Sequence, residues 1–204
     1  MEKAKFLLTL KCAIVKSFAE FRSSNPRETP YALAVIPGQT GNGVEFAVAT
    51  EEGLIRVAQR YAAMGYRYRG YEATSDDNLK KLGSWLRWSN PDDGWTYGNS
   101  EWTREIHVSL ASLVRRGEFG DDAEMLEEFC MDEVLISLRT DSAWSEVTSG
   151  ARVVLGVTSG ENPRDFLRTA TRANDYESVL RLWSEFRLGE EMSELISLSD
   201  PTRS

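Results

Sequence analysis

The fold is decided by two apolar runs, Tyr31-Ala32-Leu33-Ala34-Val35-Ile36 and Val44-Glu45-Phe46-Ala47-Val48-Ala49. A turn cluster that contains three glycines separates them, at residues 37–43. Short apolar runs on either side of such a cluster are typical of a β-hairpin. The glycines do not fit a phosphate-binding loop, because no Lys-Ser or Lys-Thr pair follows them and a strand, not a helix, comes next.

Helical patterns flank this hairpin on both sides. Apolar residues recur at three- and four-residue steps over residues 3–23 and again over residues 100–116. Thr50 is a favoured N-cap residue, and Glu51 and Glu52 after it suit the first turn of a helix, so a helix is predicted to begin there. Paired carboxylates also serve acid–base chemistry or metal binding, but helix capping already explains these residues.

The fold predicted from these patterns is α+β. A small, mainly antiparallel β-sheet is packed by five or six helices. The length of 204 residues and the absence of a linker-like stretch favour a single domain, placed at residues 1–189. A polar C-terminal tail is predicted for residues 190–204.

Composition excludes several classes of function. The net charge of −8 argues against binding to nucleic acid or to an anionic membrane, since both need a basic face. No apolar stretch is long enough to span a membrane, so a cytoplasmic protein is predicted. Two cysteines without a CxxC pair and a single histidine, His107, cannot build a disulfide framework or a multi-histidine metal site. We therefore expect no metal and no cofactor.

Aromatic residues are concentrated in the middle of the chain. Four of the six tryptophans lie at Trp85, Trp88, Trp95 and Trp102. One interpretation is an aromatic cleft that binds a small molecule or catalyses a reaction, formed by Arg87, Trp88, Asp93 and Trp95. The favoured one is a core hairpin packed on the N-terminal helix, because aromatic residues dominate core energetics. If residues 84–88 are extended, Leu86 and Trp88 share the buried side, and Arg87 stacks on an indole or pairs with Asp92 or Asp93.

A surplus of acidic residues characterises the C-terminal part. Residues 121–204 contain 8 Lys and Arg against 18 Asp and Glu, a net charge of −10. Within a helix predicted at 121–138, four acids lie on or just before one face: Asp121, Glu124, Glu128 and Asp132. Like charges four residues apart are mutually destabilising. Such a strip suits a basic protein partner, although acidic runs more often form a solvated helix face.

Three short motifs occur in order along most of the chain. They are Tyr31-Ala32-Leu33-Ala34, Ala49-Thr50-Glu51-Glu52-Gly53-Leu54, and Leu86-Arg87-Trp88-Ser89 followed by Asp93 and Trp95. In this arrangement the chain resembles the bacterial family catalogued as domain of unknown function 4303, over roughly residues 5–186. The chain departs from the family pattern in one place, because Gly94 separates Asp93 from Trp95. Some relatives resemble members of toxin–immunity gene neighbourhoods.

Two functional hypotheses follow. The first is a non-catalytic, cytoplasmic binding protein of the immunity type, which neutralises a basic bacterial toxin through its acidic surface. The second is a small-molecule-binding protein or an enzyme that uses the aromatic cleft around residues 85–97. The sequence leaves the identity of the partner and the oligomeric state open.

Overall fold

A computed structural model describes residues 2–37, 43–89, 94–98, 100–117, 130–158 and 163–198. Eight α-helices lie in these ranges: α1 (Glu2–Ser24), α2 (Glu51–Ala63), α3 (Asp76–Leu86), α4 (Ser100–Arg115), α5 (Ile136–Arg139), α6 (Ser142–Thr148), α7 (Pro163–Ala173) and α8 (Tyr176–Ser193). A π-helical segment, Cys130–Leu135, leads into α5. The strands are β1 (Pro30–Pro37), β2 (Val44–Thr50), β3 (Tyr66–Tyr68), β4 (Thr96–Tyr97), β5 (Val154–Val157) and β6 (Ile196–Leu198).

The main sheet has four strands in the order β4-β2-β1-β5. The predicted hairpin is confirmed, because β1 and β2 pair antiparallel, with Val35 opposite Phe46. β4 continues the antiparallel pattern, whereas β5 pairs with β1 in parallel and makes the sheet mixed. The α+β class in a single domain is confirmed. The described helices exceed the five or six predicted, since elements as short as α5 and α6 show too few periodic residues to be recognised.

Helices cover both faces of the main sheet. Alternate strand residues such as Leu33 and Phe46 face α1 and α4, where they pack with Phe6, Leu10, Ile14, Phe18 and Ile106. The opposite face, with Ala32 and Ala34, packs against α7 and α8. Burial on both sides explains why β1 is an unbroken apolar run.

Side chains from α7 and the residue after it occupy the free edge of β5. The Asn174 side-chain amide donates to the carbonyl of Leu155 at 2.6 Å and accepts its N–H at 2.9 Å. The Thr169 hydroxyl makes the same pair of contacts with Val157, both at 2.8 Å. The outward backbone groups of β5 therefore have partners, which protects this edge from pairing with another chain.

The predicted C-terminal tail begins too early. Helix α8 continues to Ser193, and Ile196–Leu198 form β6, which pairs antiparallel with β3. Met192 is buried, and Ile196 packs against the cluster that joins α2 and α3. These apolar contacts place residues 190–198 within the fold.

Candidate functional site

The start of the tryptophan-rich segment, up to Leu86, is helical where the sequence suggested an extended chain. Helix α3 begins at its N-cap Ser75, whose hydroxyl accepts the Asn78 N–H at 3.2 Å, and it ends at Leu86. The extended interpretation of residues 84–88 is wrong because the apolar period here is helical: Leu79, Leu82 and Leu86 pack together against α2. Leu86 and Trp88 are both buried, as predicted, but in two different clusters.

Trp88 lies in the hydrophobic core. It is 6% exposed, stacks on Phe166 with ring centroids 5.6 Å apart, and meets Tyr31 edge-on at 5.3 Å. Trp95 contacts the same two rings edge-on, at 5.6 and 6.4 Å. The four rings form an aromatic cluster on the sheet face opposite α1. These tryptophans pack on rings from β1 and α7. The prediction that they pack on the N-terminal helix is therefore wrong.

One glycine makes room for this cluster, and a second, Gly94, lies close to α2. A Cβ on Gly156 would lie 2.5 Å from the Phe166 ring, so only glycine lets that ring lie flat on β5. Gly94, which separates Asp93 from Trp95, has a φ of +100°. A Cβ there would also lie 3.0 Å from Val57. This local backbone geometry accounts for Gly94.

Arg87 joins four elements of the fold. Its guanidinium binds both carboxylate oxygens of Glu51, at 2.9 and 2.6 Å, and lies 4.6 Å from the centre of the Tyr31 ring. The Tyr31 hydroxyl donates to the Arg87 carbonyl at 2.7 Å. A carboxylate oxygen of Glu185, on α8, lies 4.0 Å from the Arg87 Nε atom. Burial opposes the positive charge, but the hydrogen bond to Glu51 and the charges of Glu185 and Glu51 outweigh it and raise the pKa of Arg87.

The predicted partners of Arg87 were different residues. Asp92 and Asp93 lie outside the described residues, as does the Asp93 position of the proposed ligand site. Glu51, which the sequence assigned to helix capping, is the carboxylate that Arg87 binds. Residue 51 lies on α2 and residue 87 directly follows α3, so sequence spacing gave no signal for this pair.

The carboxylates near the start of α2 also have protein partners. Glu52 accepts the backbone N–H of Thr29 at 2.6 Å and its hydroxyl at 2.9 Å. Glu28 accepts from the Thr50 hydroxyl and, at 2.6 Å, from Arg56. The predicted capping role of Thr50 is confirmed, because its Oγ1 accepts the Gly53 N–H at 2.9 Å. Thr50 thus links the helix cap to Glu28.

This network gives the protein a specific response to acid. The hydrogen bond from Arg56 holds the pKa of Glu28 below its ordinary value of 4.5. A carboxyl whose pKa is lowered by folding stabilises the protein above its unfolded-state pKa, and this contribution is lost as the pH falls through the folded-state value. We therefore expect Glu28→Gln to reduce the loss of stability between about pH 6 and about pH 3. Urea unfolding across that range measures the effect.

Glu146→Gln, on the exposed surface of α6, is the matched control, because it removes the same charge outside the Thr50 network. Parallel stability–pH curves for Glu28→Gln and the wild type would contradict the role assigned to Glu28.

A cavity of about 240 Å³ lies between α3 and α8. The end of α3 and the turn after it contribute Ser84, Trp85, Trp88 and Ser89; α8 contributes Phe186, Gly189, Glu190 and Ser193, and α7 contributes Arg164. Gly189 allows the two helices to approach, since a Cβ there would lie 2.9 Å from the carbonyl oxygen of Ser84. We call this space the α3–α8 cavity.

Two residues that line this cavity each have a buried polar atom without a partner. Among the described residues, Trp88 Nε1 and Ser89 Oγ are buried without a hydrogen bond. At the mouth of the cavity, by contrast, Arg164 and Glu190 form an ion pair. A glycine inside a helical pattern, here Gly189, is the one sequence signal for this close helix contact.

The predicted acidic strip falls largely outside the described residues. This applies to Asp121, Glu124 and Glu128, while Asp132 lies in the π-helical segment. On α8, several acids are ion-paired with arginines: Glu177 with Arg152 at 2.7 Å, Glu185 with Arg181 at 3.7 Å, Glu190 with Arg164, and Glu191 with Arg187 at 3.7 Å. The described acids of α8 are therefore paired with arginines and do not extend the predicted acidic strip.

Two features are absent from the part of the chain that the structure describes. No group of three or more His, Cys, Asp or Glu residues is placed to hold a metal ion. No helix there combines the length and the apolar character needed to cross a membrane. His107 lies on α4, with its Nε2 atom 3.4 Å from the carbonyl oxygen of Val44.

Comparison with known proteins supplies the family. The model of one family, described as domain of unknown function (DUF4303), matches residues 10–174. No curated protein and no solved structure matches the chain. The match spans more than half of the 204 residues and confirms the resemblance drawn from the three motifs. This chain therefore belongs to the DUF4303 family.

Proposed function

We propose that this protein is a non-catalytic binding protein. The observation that carries the proposal is the bidentate contact between Arg87 and Glu51, with Tyr31 stacked on the guanidinium. The charged side chains that could take part in a reaction are here bound to other protein side chains, on three neighbouring elements. Such a rigid arrangement supports a scaffold that positions a recognition surface.

The first candidate partner is a basic protein, as expected for a bacterial, cytoplasmic immunity protein that neutralises a toxin. Residues 121–132 contain six acids and no Lys or Arg, and they carry much of the net charge of −10 in residues 121–204. A concentrated negative potential accelerates encounter with a basic partner and repels acidic competitors. The resemblance implies that some relatives belong to toxin–immunity gene neighbourhoods, which is consistent with this proposal.

Charge reversal tests the first candidate. The variant Glu124→Lys/Glu128→Lys/Asp132→Lys removes three attractive contacts and introduces repulsion. We expect its affinity for the basic partner to fall about 10- to 100-fold at low salt, and the loss to shrink as salt rises. A toxin encoded beside this gene, or a protein captured from the native host, supplies the partner, and surface plasmon resonance measures the affinity.

The control changes the charge by the same amount elsewhere. Glu177→Lys/Glu190→Lys/Glu191→Lys reverses three acids that pair with arginines on the described surface. Equal losses in both variants would show only a response to net charge. No loss in the first variant would refute recognition through residues 121–132.

The second candidate function is binding of a small molecule, for which the sequence named Arg87, Trp88, Asp93 and Trp95. The specific observation that favours it is the α3–α8 cavity, which Trp88 lines. Arg87 and Trp95 take part in the aromatic cluster and its ion pair instead. The proposed site therefore retains Trp88 and adds Trp85, Ser89 and Phe186.

Filling the mouth of the cavity tests the second candidate. Ser193 is exposed, and its hydroxyl donates to the carbonyl of Glu190, three residues earlier. We expect Ser193→Phe to abolish metabolite-induced changes in tryptophan fluorescence, because the ring blocks the space that the ligand needs. Ser184→Phe is the control, since Ser184 is also exposed on α8, makes the same contact with Arg181 and does not line the cavity. Unchanged binding in Ser193→Phe would exclude this site.

A further inference from the structure

We propose that the outward face of α8 is the interface of a homodimer, in which a second copy of this chain docks antiparallel on the same face. Its members follow one another at steps of four, three and four residues, and we call them the α8 stripe: Tyr176, Leu180, Trp183 and Arg187. The buried Leu182 and Gly189 lie on the other side of the helix. Three properties of the stripe point to a second copy: its exposed apolar area, its spacing and its charge.

The stripe exposes large apolar side chains in one row. Tyr176 is 75% exposed, Leu180 51% and Trp183 50%. Since a tyrosine or tryptophan has roughly 150–250 Å² of surface, these residues and the nearby exposed Leu188 offer about 400 Å² of apolar area. A standard interface buries about 800 Å² on each partner, a little more than half of it apolar. The apolar area of this face is therefore close to that in one half of a stable dimer.

The spacing of the stripe is symmetric. Its steps place the four side chains within about 60° of one another around the helix. Because the steps read the same in both directions, an antiparallel copy places Leu180 opposite Trp183 of the second copy. The same register places Tyr176 opposite Arg187 of the second copy, where the guanidinium can lie on the phenol ring. Two-fold symmetry forms each of these contacts twice, and Trp, Tyr and Arg are the residues that contribute most to interfaces.

The charge around the stripe suits a copy of the same chain. A protein of net charge −8 repels its own copies, unless they meet at a face without surplus negative charge. Acids around the stripe are ion-paired with arginines: Glu177 with Arg152, Glu190 with Arg164, and Glu191 with Arg187. Such a face does not repel a second copy and does not attract the basic partner proposed for residues 121–132.

Sedimentation velocity tests the oligomeric state. We expect the wild type to dimerise with a dissociation constant below about 20 µM. Trp183→Glu removes the ring and places two like charges near the two-fold axis, so it should raise this constant at least about 100-fold. Val108→Glu is the matched control, because Val108 is also an exposed apolar residue but lies on α4, across the main sheet from α8. A wild type that stays monomeric at about 200 µM, or an equal effect of both variants, would overturn the inference.

Unfolding gives an independent measurement. A dimer that dissociates on unfolding becomes more stable as protein concentration rises. The urea midpoint of the wild type should therefore increase between about 1 and about 200 µM, and that of Trp183→Glu should not. Well below the dissociation constant the chain is monomeric, and there the loss of the half-exposed Trp183 side chain affects only the monomer. A wild-type midpoint independent of concentration would contradict dimerisation.

Spin labels test the antiparallel arrangement. They are attached at Ser184→Cys or at Glu191→Cys, in a chain whose two native cysteines are replaced by serine. In the proposed register residue 184 lies near the two-fold axis and residue 191 far from it. At a rise of about 1.5 Å per residue, the two labels at position 191 should be at least about 15 Å farther apart than those at position 184. Equal separations at the two positions, measured by double electron–electron resonance, would overturn the inference.

Discussion

Trp88→Ala is expected to lower the free energy of unfolding by about 3–5 kcal/mol, the usual cost of removing a fully packed tryptophan. The substitution removes the ring that lies between Tyr31 and Phe166 and leaves a void beside the sheet. Neighbouring groups cannot readily fill that void, because Phe166 is held against Gly156 on β5. Urea denaturation followed by circular dichroism measures the change.

The matched control for this prediction is Trp183→Ala. Trp183 lies on α8 but is 50% exposed, so its removal should cost less than about 1 kcal/mol. Similar costs for the two tryptophans would contradict the assignment of Trp88 to the core. A Trp88→Ala protein as stable as the wild type would favour the interpretation of this segment as an aromatic cleft.

Arg87→Ala is expected to have the second largest effect, a loss of about 2–4 kcal/mol. Removing one member of a buried ion pair commonly costs about 3–5 kcal/mol, and the lower range reflects the 41% exposure of the Glu51 side chain. The variant also loses the cation over the Tyr31 ring. Chemical denaturation of the variant and the wild type under the same conditions gives the difference.

Two further variants make this prediction specific. Arg87→Lys should recover only part of the stability, because an ammonium cannot make the two parallel hydrogen bonds that Glu51 accepts. Arg67→Ala, on the exposed face of β3, should change stability by less than about 0.5 kcal/mol. Full recovery with lysine would show that charge alone matters at position 87.

Local features of the fold were predictable from the sequence. The hairpin of β1 and β2, the buried face of α1 and the Thr50 cap each depend on residues only a few positions apart. The parallel place of β5 beside β1 was not predictable, because that pairing joins residues more than a hundred positions apart. The pairing of β6 with β3 also joins residues more than a hundred positions apart, which explains why the residues of β6 were predicted to belong to a tail.

The candidate site was less predictable than the fold. Sequence reasoning singled out Arg87 and Trp88 from their density of aromatic neighbours, and the structure places both at the junction of α2, α3 and the sheet. It missed Glu51 as the partner of Arg87, and it missed Phe186 as a wall of the cavity. Both depend on how helices meet in space, which hydrophobic periodicity within one helix does not encode.

We propose that the Arg-Trp segment is a rigid scaffold for binding, in which Arg87 and Glu51 act as a structural pair. The most direct test is a double-mutant cycle in which unfolding free energies are measured for Arg87→Ala, Glu51→Ala and the double variant. A coupling energy of at least about 1 kcal/mol is predicted, as for a geometrically well-formed bidentate pair. Coupling near zero, together with Arg87→Ala remaining as stable as the wild type, would contradict the claim.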